Sequence, residues 1–203
     1  MIIVNFKNYV LGKKSLALAR KIEKINKKII VAVPTTDIEE ISKKTKLKVY
    51  AEHIDYNNGP KATGFVIPES VKAVKGKGML INHSEHKLTM KEIKLTLARC
   101  KKLKMETVVC VSKLSDVKKI MKLQPSAIAY EDPNLISTGK SITKYQNKEV
   151  HKFASMFKRS KVIPLCGAGI SSKEDIKASY DLGCKGVLIA SAIARDKKFE
   201  ILK

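Results

Sequence analysis

Eight short apolar runs, rich in Val and Ile, constrain the fold of this chain more than any other feature of its sequence. They cover residues 2–6, 29–33, 47–51, 79–82, 107–111, 127–130, 162–166 and 186–190. Most do not alternate between apolar and polar residues, which is typical of strands buried on both faces of a parallel sheet. Because helix-like segments separate them, we predict an α/β fold, either an open doubly wound sheet or a closed (β/α)8 barrel. Eight strands favour the barrel, and 203 residues is short for one, so some helices should be short or missing.

The segments between the runs have the apolar spacing of amphipathic helices. They cover residues 15–28, 37–45, 90–104, 115–122, 146–158 and 172–182. Ser15 is the predicted N-cap of the first helix, and Thr36 with Glu39 predicts a capping box for the second. Residues 171–174 (Ser-Ser-x-Glu) should cap the last helix, and Gly183 should end it. The connection over residues 52–70 is loop-like. No linker rich in Gly, Ser or Pro divides the chain, so we expect one catalytic domain over residues 1–203.

The net charge of +22 indicates either a basic surface or a nucleic-acid-binding protein. Lysines are spread along nearly every predicted helix, so solvated helix faces explain most of the charge. Aromatic residues make up only 5% of the chain and Trp is absent, which disfavours a base-stacking surface. We therefore predict no specific nucleic-acid partner and keep basic nucleic-acid binding as the alternative of a different class. A positive field would also attract small anionic substrates.

The sequence has the features of a cytoplasmic protein. No apolar run approaches the roughly 20 residues of a membrane helix, and the first residues lack the layout of a signal peptide. The four cysteines, Cys100, Cys110, Cys166 and Cys184, form no C-x-x-C pair. We expect the four cysteines to be free thiols and not ligands of a zinc ribbon. We also expect no association with a membrane, because the sequence has no sufficiently long apolar run.

Three of the apolar runs end in residues suited to acid/base chemistry. Asn5 lies near the end of the first run and Lys7 follows it, His83 follows the fourth run, and Glu131 follows the sixth. The carboxyl ends of strands are where α/β proteins bind ligands, so these side chains predict an acid/base enzyme. A metal site on the His-x-x-His pair at 83 and 86 is disfavoured, because the spacing falls in a loop and no third ligand cluster is visible. We predict no metal.

Six segments, in order along the chain and most of them at strand ends, resemble the triosephosphate isomerase family, most closely its short archaeal branch. They are residues 4–9 (VNFKNY), 52–55 with 63–64 (EHID, TG), 81–85 (INHSE), 129–139 (AYEDPNLISTG), 165–170 (LCGAGI) and 186–191 (GVLIAS). The resemblance implies a TIM barrel that interconverts dihydroxyacetone phosphate and D-glyceraldehyde 3-phosphate, a step of glycolysis and gluconeogenesis. It implies no cofactor, because the reaction moves a proton between neighbouring carbons.

The resemblance also implies a role for each matching residue. Glu131 would take the proton, and a neutral His83 would donate a hydrogen bond to the substrate oxygen. Lys7 would neutralise developing charge and Asn5 would donate a hydrogen bond. Ser84 would begin a turn whose amides favour the neutral imidazole, and Glu85 would partner the lysine. The remaining substrate contacts implied are Phe6, Ile136, Ser137, Gly169, Ala190 and Ser191.

This sequence departs from the family pattern in the loop after the sixth strand. Ser137 stands where a glycine is usual, and Asp132 stands where a proline is common, which is expected to loosen the start of this lid. Ala190 and Ser191 replace the Gly-Gly of the bacterial and eukaryotic branches, as in the archaeal one.

The family's intersubunit loop matches the segment that begins at Glu52 and ends at Gly64, with Thr63 near the neighbouring site. The resemblance therefore implies a homo-oligomer, either a dimer or a tetramer. Another phosphosugar-binding barrel, an isomerase or epimerase, remains the alternative within enzymes. Such barrels share the phosphate loops. What distinguishes this chain from them is the combination of Asn5-x-Lys7, His83-x-Glu85 and Glu131, together with the lack of an obvious set of metal ligands in the sequence.

Overall fold

Eight parallel strands close into a barrel in the computed structural model, which describes residues 1–57, 61–136, 138 and 140–203. The strands are β1 (Ile2–Asn5), β2 (Ile30–Val33), β3 (Lys48–Ala51), β4 (Gly78–Ile81), β5 (Glu106–Val111), β6 (Ala127–Tyr130), β7 (Ile163–Cys166) and β8 (Val187–Ile189). Each strand pairs with the next one along the chain, and β8 pairs with β1. The predicted barrel is confirmed, and every predicted strand lies within one residue of the observed bounds.

Helices follow the strands around the outside of the barrel. They are α1 (Lys13–Ile25), α2 (Ile38–Lys44), α3 (Pro68–Ala73), α4 (Met90–Lys102), α5 (Leu114–Met121), α6 (Ile142–Tyr145), α7 (Asn147–Ser155), α8 (Lys173–Asp181) and α9 (Ser191–Ala194). Short 3-10 segments cover Lys7–Tyr9, Thr35–Asp37, Pro133–Leu135 and Phe199–Leu202. The expectation of shortened helices is confirmed, since α3 has 6 residues and α6 and α9 have 4 each. Within the described residues, no helix has the length and apolar character needed to cross a membrane.

Strand side chains alternate between two cores, as the pleat of a strand requires. Those that point into the barrel form the smaller cluster: Ile3, Ile30, Ala32, Tyr50, Leu80, Val108, Cys110, Ala127, Ala129, Leu165 and Leu188. Their neighbours in sequence, such as Val4 and Ile128, pack outward against the helices. The same alternation continues past the strand ends, where Asn5 and Glu131 follow Ile3 and Ala129 at inward positions. The four cysteines are free and buried, as expected.

Two of the predicted helix caps are wrong. Helix α1 begins at Lys13, directly after Gly12 at φ +53°, so Ser15 lies inside the helix and not at its N-cap. Helix α2 begins after Asp37 and shows no side-chain cap. The Asp37 carboxylate instead accepts a hydrogen bond from the Gly12 amide, at 3.1 Å, and so joins two loops at the top of the barrel. The predicted cap at Ser172 is confirmed, with the residue at 175 as its partner rather than the one at 174.

Ser15 and Ser172 should respond differently to substitution by alanine. Ser15 is fully buried, and its hydroxyl has no hydrogen-bond partner among the described residues. Ser15→Ala should therefore leave the free energy of unfolding unchanged or raise it by about 0.5 kcal/mol, because it removes an unpaired buried hydroxyl and improves helix propensity. Ser172→Ala removes a real cap and should lower it by about 1 kcal/mol. Urea denaturation of both variants measures the difference. A loss at Ser15 as large as that at Ser172 would contradict this account.

Candidate active site

Asn5, His83 and Glu131 lie at the carboxyl edge of the barrel, although 125 residues lie between the first and the last along the chain. Asn5 is the last residue of β1, Glu131 follows β6 directly, and His83 lies two residues past β4. All three are buried, with exposed fractions of 3% for Asn5, 5% for Glu131 and 7% for His83. The strands are parallel, so their carboxyl ends meet at one edge and bring these three polar side chains together.

The His83 imidazole faces the Glu131 carboxylate. The distance from Nε2 of His83 to Oε2 of Glu131 is 3.7 Å. On the other side of the ring, the Glu85 amide donates a hydrogen bond to Nδ1, at 3.2 Å. A nitrogen that accepts a hydrogen bond carries no proton, so this contact selects the neutral imidazole with its proton on Nε2. The imidazole N–H is thereby directed toward the carboxylate and the space beside it.

Glu131 has an unsatisfied buried oxygen. Its Oε2 is buried and has no hydrogen-bond partner among the described residues. A buried carboxylate oxygen without a partner is costly and marks a place where a ligand can supply one. The backbone of Gly167 lies against the other oxygen, since a Cβ at that position would lie 3.2 Å from Oε1 of Glu131 and 2.9 Å from the carbonyl oxygen of Leu188. A glycine there leaves room for the carboxylate.

Lys7 is held in an unusual backbone conformation. Its φ is +46°, in the left-handed region that side chains rarely adopt. Its amide donates to Oδ1 of Asn5, at 3.0 Å, and its ammonium lies 2.6 Å from Oε1 of Glu85. The side chain is 11% exposed, whereas that of Glu85 is 55% exposed. Glu85 thus orients the ammonium from the solvent side and leaves it at the edge of the site.

The loops after β7 and β8 complete a narrow hollow of about 30 Å³. It is lined by Asn5, Lys7, His83, Glu131, Ile136, Ala168, Gly169, Ile170, Leu188, Ile189, Ala190 and Ser191. Gly169 adopts φ +74°, and a Cβ there would lie 1.9 Å from the carbonyl oxygen of Lys140. Only glycine fits where these two loops cross. A wider cleft of about 460 Å³ adjoins the hollow and is lined by Glu52, His53, Glu85 and His86 among others.

The comparisons with known proteins agree with this geometry. The sequence model of the family described as Triosephosphate isomerase matches residues 1–202. The chain belongs to the triosephosphate isomerase family. The triosephosphate isomerases of Saccharolobus solfataricus and Methanocaldococcus jannaschii are 39% and 37% identical to it. Both alignments cover 98% of this chain, with 91% and 95% of the relative.

A solved structure of the Bartonella henselae triosephosphate isomerase shares the fold. It superposes with a TM-score of 0.72 over 95% of this chain and 92% of that one. The two sequences are only 15% identical, so this likeness shows the barrel architecture alone.

One residue that was expected to contact the substrate lies elsewhere in this triosephosphate isomerase family member. Phe6 is fully buried in the outer core, because the alternation that turns Asn5 inward turns Phe6 toward the helices. Ser84 begins the turn after His83, as expected, and its buried hydroxyl has no hydrogen-bond partner among the described residues. Ser137 lies outside the described residues. The other predicted site residues line the hollow or contact one that does.

The start of the loop after β6 is anchored, contrary to the loosening expected from Asp132. One oxygen of the Asp132 carboxylate accepts from the Asn134 amide, at 2.9 Å, and the other accepts from the side-chain amide of Gln146. The loop leaves the barrel through a short 3-10 turn that ends at Leu135, which is 9% exposed. Where a proline ring would stiffen the backbone at this position, Asp132 instead holds it through two hydrogen bonds.

Sequence reasoning assigned no role to Cys110 or to the stacked His53 and His86. Cys110 points into the barrel beneath Glu131, and burial together with the Glu131 carboxylate raises the pKa of its thiol well above the usual value. A protonated thiol is thereby kept against the carboxylate. The signal was its inward position near the end of β5, opposite Ala129. The rings of His53 and His86 stack with centroids 3.6 Å apart, and burial lowers the pKa of His53. No local pattern indicated that contact.

Glu52 should make stability depend on pH. Burial raises the pKa of its carboxyl to about 7, against a smaller opposing contribution from a hydrogen bond with the Lys7 backbone. Because the folded pKa lies above the unfolded one of about 4.5, the folded state binds more protons between these values, and its stability falls as pH rises through 7. Glu52→Gln removes the titrating carboxyl and, with it, this loss of stability at high pH. Its free energy of unfolding should exceed that of the parent by up to about 3 kcal/mol at pH 8, and by much less at pH 5. An equal difference at both pH values, measured by urea denaturation, would contradict the burial argument.

Proposed function

We propose that this chain catalyses the interconversion of dihydroxyacetone phosphate and D-glyceraldehyde 3-phosphate through an enediolate. The observation that carries the proposal is the buried Glu131 carboxylate, with one unpartnered oxygen, facing the N–H side of a neutral His83 imidazole at 3.7 Å. A base and a hydrogen-bond donor this close can serve two neighbouring atoms of one small substrate. Membership of the triosephosphate isomerase family supports the same reaction.

In this mechanism Glu131 removes a proton from the hydroxyl-bearing carbon of dihydroxyacetone phosphate. The electron pair of that bond forms a carbon–carbon double bond, and negative charge develops on the former carbonyl oxygen. His83 donates from Nε2 to that oxygen and moves a proton between the two oxygens of the enediolate. Glu131 then returns its proton to the neighbouring carbon. The substrate and product have the same oxidation state overall, so the reaction requires no electron carrier.

Lys7 stabilises the negative charge that develops on the enediolate, and Asn5 positions Lys7. The Lys7 ammonium opposes the enediolate charge in a site from which bulk water is largely excluded, where such a contact is worth more than in water. Asn5 holds the Lys7 amide through Oδ1, which fixes the backbone that carries the ammonium. Ser84 contributes the turn after His83, and Glu85 directs the ammonium.

The substrate phosphate would lie against the loops after β7 and β8. Gly169, Ala190 and Ser191 line the hollow beside Glu131, and Ile136 approaches from the loop after β6. The hollow holds little more than one water, so a phosphate requires these loops to separate or the lid to rearrange. We keep Ser137 as a lid contact to the phosphate. Phe6 packs in the outer core, so it supports the backbone of this segment and does not touch substrate.

Changing the base or the donor should abolish most turnover without unfolding the protein. Glu131→Asp withdraws the carboxylate by about one methylene, and His83→Gln removes the imidazole, so each should lower kcat by about 10²- to 10⁴-fold. A coupled assay started from either triose phosphate measures kcat, and thermal unfolding checks the fold. Glu149→Asp, at an exposed glutamate on α7, is the matched control and should retain kcat. Near-normal turnover of Glu131→Asp would refute the assignment. A parent protein inactive on both triose phosphates and active on another phosphosugar would favour the rival isomerase or epimerase.

We further propose that the chain forms a homo-oligomer, a dimer or a tetramer, through the loop from Glu52 to Gly64. Two large apolar side chains in or beside this loop are exposed in the single chain, Tyr56 at 39% and Phe65 at 47%. An intersubunit contact would cover them. Residues 58–60 of this loop lie outside the described residues.

We also propose that residues 1–203 form a single catalytic domain and that the protein is located in the cytoplasm.

Light scattering at micromolar concentration should give the mass of at least two chains. Phe65→Lys places a charge in the proposed contact and should shift the mass toward one chain of 22.6 kDa. Tyr145→Lys, at an exposed ring on α6, is the control and should keep the parent mass. A parent protein that is monomeric at this concentration would contradict the proposal.

A further inference from the structure

The edge of the barrel opposite the candidate active site is ringed with positive charge. Each of the segments leading into β2 to β8 carries at least one Lys or Arg. We call this set the basic face, and its members are Lys27, Lys28, Lys46, Lys48, Lys75, Lys77, Lys101, Lys102, Lys104, Lys122, Lys158, Arg159, Lys161 and Lys185. All of them are exposed. Because the strands are parallel, residues far apart in sequence lie together on this one face.

Two hollows show that these side chains converge. The first, of about 300 Å³, is lined by Lys46, Lys77 and Lys104 from the segments before β3, β4 and β5, and by Lys48 at the start of β3. The second, of about 460 Å³, lies across the ring, and its cations include Lys158, Lys161 and Lys185 from the segments before β7 and β8. Each hollow therefore gathers cations from segments that are distant along the chain.

Few carboxylates offset this charge. Glu106 lies in the first hollow and is bonded both to Lys48, at 2.7 Å, and to the Tyr50 hydroxyl. Glu23 accepts from the Lys46 amide, at 2.6 Å, and Asp181 ends α8. Among the described residues, Lys48 is the only member of the basic face in an ion pair. The active-site edge, by contrast, mixes its cations with several carboxylates.

The helix dipole explains only part of this arrangement. Cations in the last turn of a helix offset its partial negative charge, and Lys101 and Lys102 lie in the last turn of α4. The effect fades within that turn. Lys46, Lys77 and Lys185 lie beyond the helix ends, so helix stabilisation does not require them.

We propose that the basic face binds the phosphate backbone of double-stranded nucleic acid without regard to base sequence. Several exposed cations and few opposing carboxylates match a polyanion. Of the large apolar side chains exposed in the described residues, Tyr180 near the end of α8 is the one adjacent to this face. One ring provides neither a stacking platform for single strands nor the apolar surface that inserts into a membrane. The backbone phosphates of a duplex need neither. The active-site edge stays free when the opposite face is occupied.

Binding is tested with a labelled, mixed-sequence DNA duplex of about 24 base pairs, by fluorescence anisotropy between about 50 mM and about 200 mM NaCl. The triple variant Lys46→Gln, Lys77→Gln, Lys104→Gln should weaken binding by about tenfold or more. It should also reduce the slope of log K against log salt by about 2 to 3, as expected for three lost phosphate contacts. The matched control is Lys13→Gln, Lys91→Gln, Lys173→Gln, which removes the same charge from exposed first-turn positions at the other end of the helices. It should bind within about twofold of the parent.

Four results would overturn the proposal. They are absence of duplex binding by the parent at about 50 mM NaCl, equal weakening in both triple variants, unchanged binding by the basic-face variant, and binding to phosphatidylserine vesicles but not to the duplex. If the first triple variant does not fold, Lys158→Gln, Lys161→Gln, Lys185→Gln around the second hollow replaces it, with the same expectation. Retained thermal stability identifies a folded variant, and this readout does not depend on the isomerase activity.

Discussion

Closure of eight parallel strands into one ring is the constraint on which the other features depend. A closed parallel ring has two unlike ends, and the pleat sends every second side chain into its interior. Positions two residues beyond Ile3, Ala129 and Leu165 must then meet above the inner core, and they are occupied by Asn5, Glu131 and Gly167. An amide, a carboxylate and a residue without a side chain therefore lie together at the carboxyl end of the barrel, where they share one pocket.

The site departs from ordinary burial rules in two places. A carboxylate oxygen of Glu131 has no partner among the described residues, and Lys7 holds a left-handed backbone conformation. Each costs free energy that packing elsewhere must offset, and each lies at the same pocket. The surroundings reinforce the arrangement, because the Cys110 thiol beneath Glu131 stays protonated and the Glu85 amide fixes the protonation of His83. The polar groups are therefore set before any substrate arrives.

The sequence predicted the strands within a residue because fully buried strands leave continuous apolar runs that nothing else in this chain imitates. Helix starts were harder, since Ser15 and Ser172 look alike locally and only the path of the preceding loop decides which one caps. Phe6 was predicted to contact substrate because it belongs to the motif at residues 4–9. The direction of its side chain, however, is set by the pleat of the strand, which turns it toward the helices. Glu52 showed no signal, because its burial depends on elements far away in sequence. The lysines before the strands looked evenly dispersed along the chain and were gathered onto one end only by the fold.

The two hydrogen bonds of the Asp132 carboxylate fix the backbone that directly follows Glu131. Its carboxylate holds the Asn134 amide on one side and Gln146 on the other, and Leu135 is sunk into the core. Residues 132–135 are therefore tied to the barrel at the point where the chain leaves Glu131. Ser141, farther along, is also buried, with an exposed fraction of 2%. Because the backbone directly after Glu131 is fixed in this way, the carboxylate has little freedom to shift relative to His83.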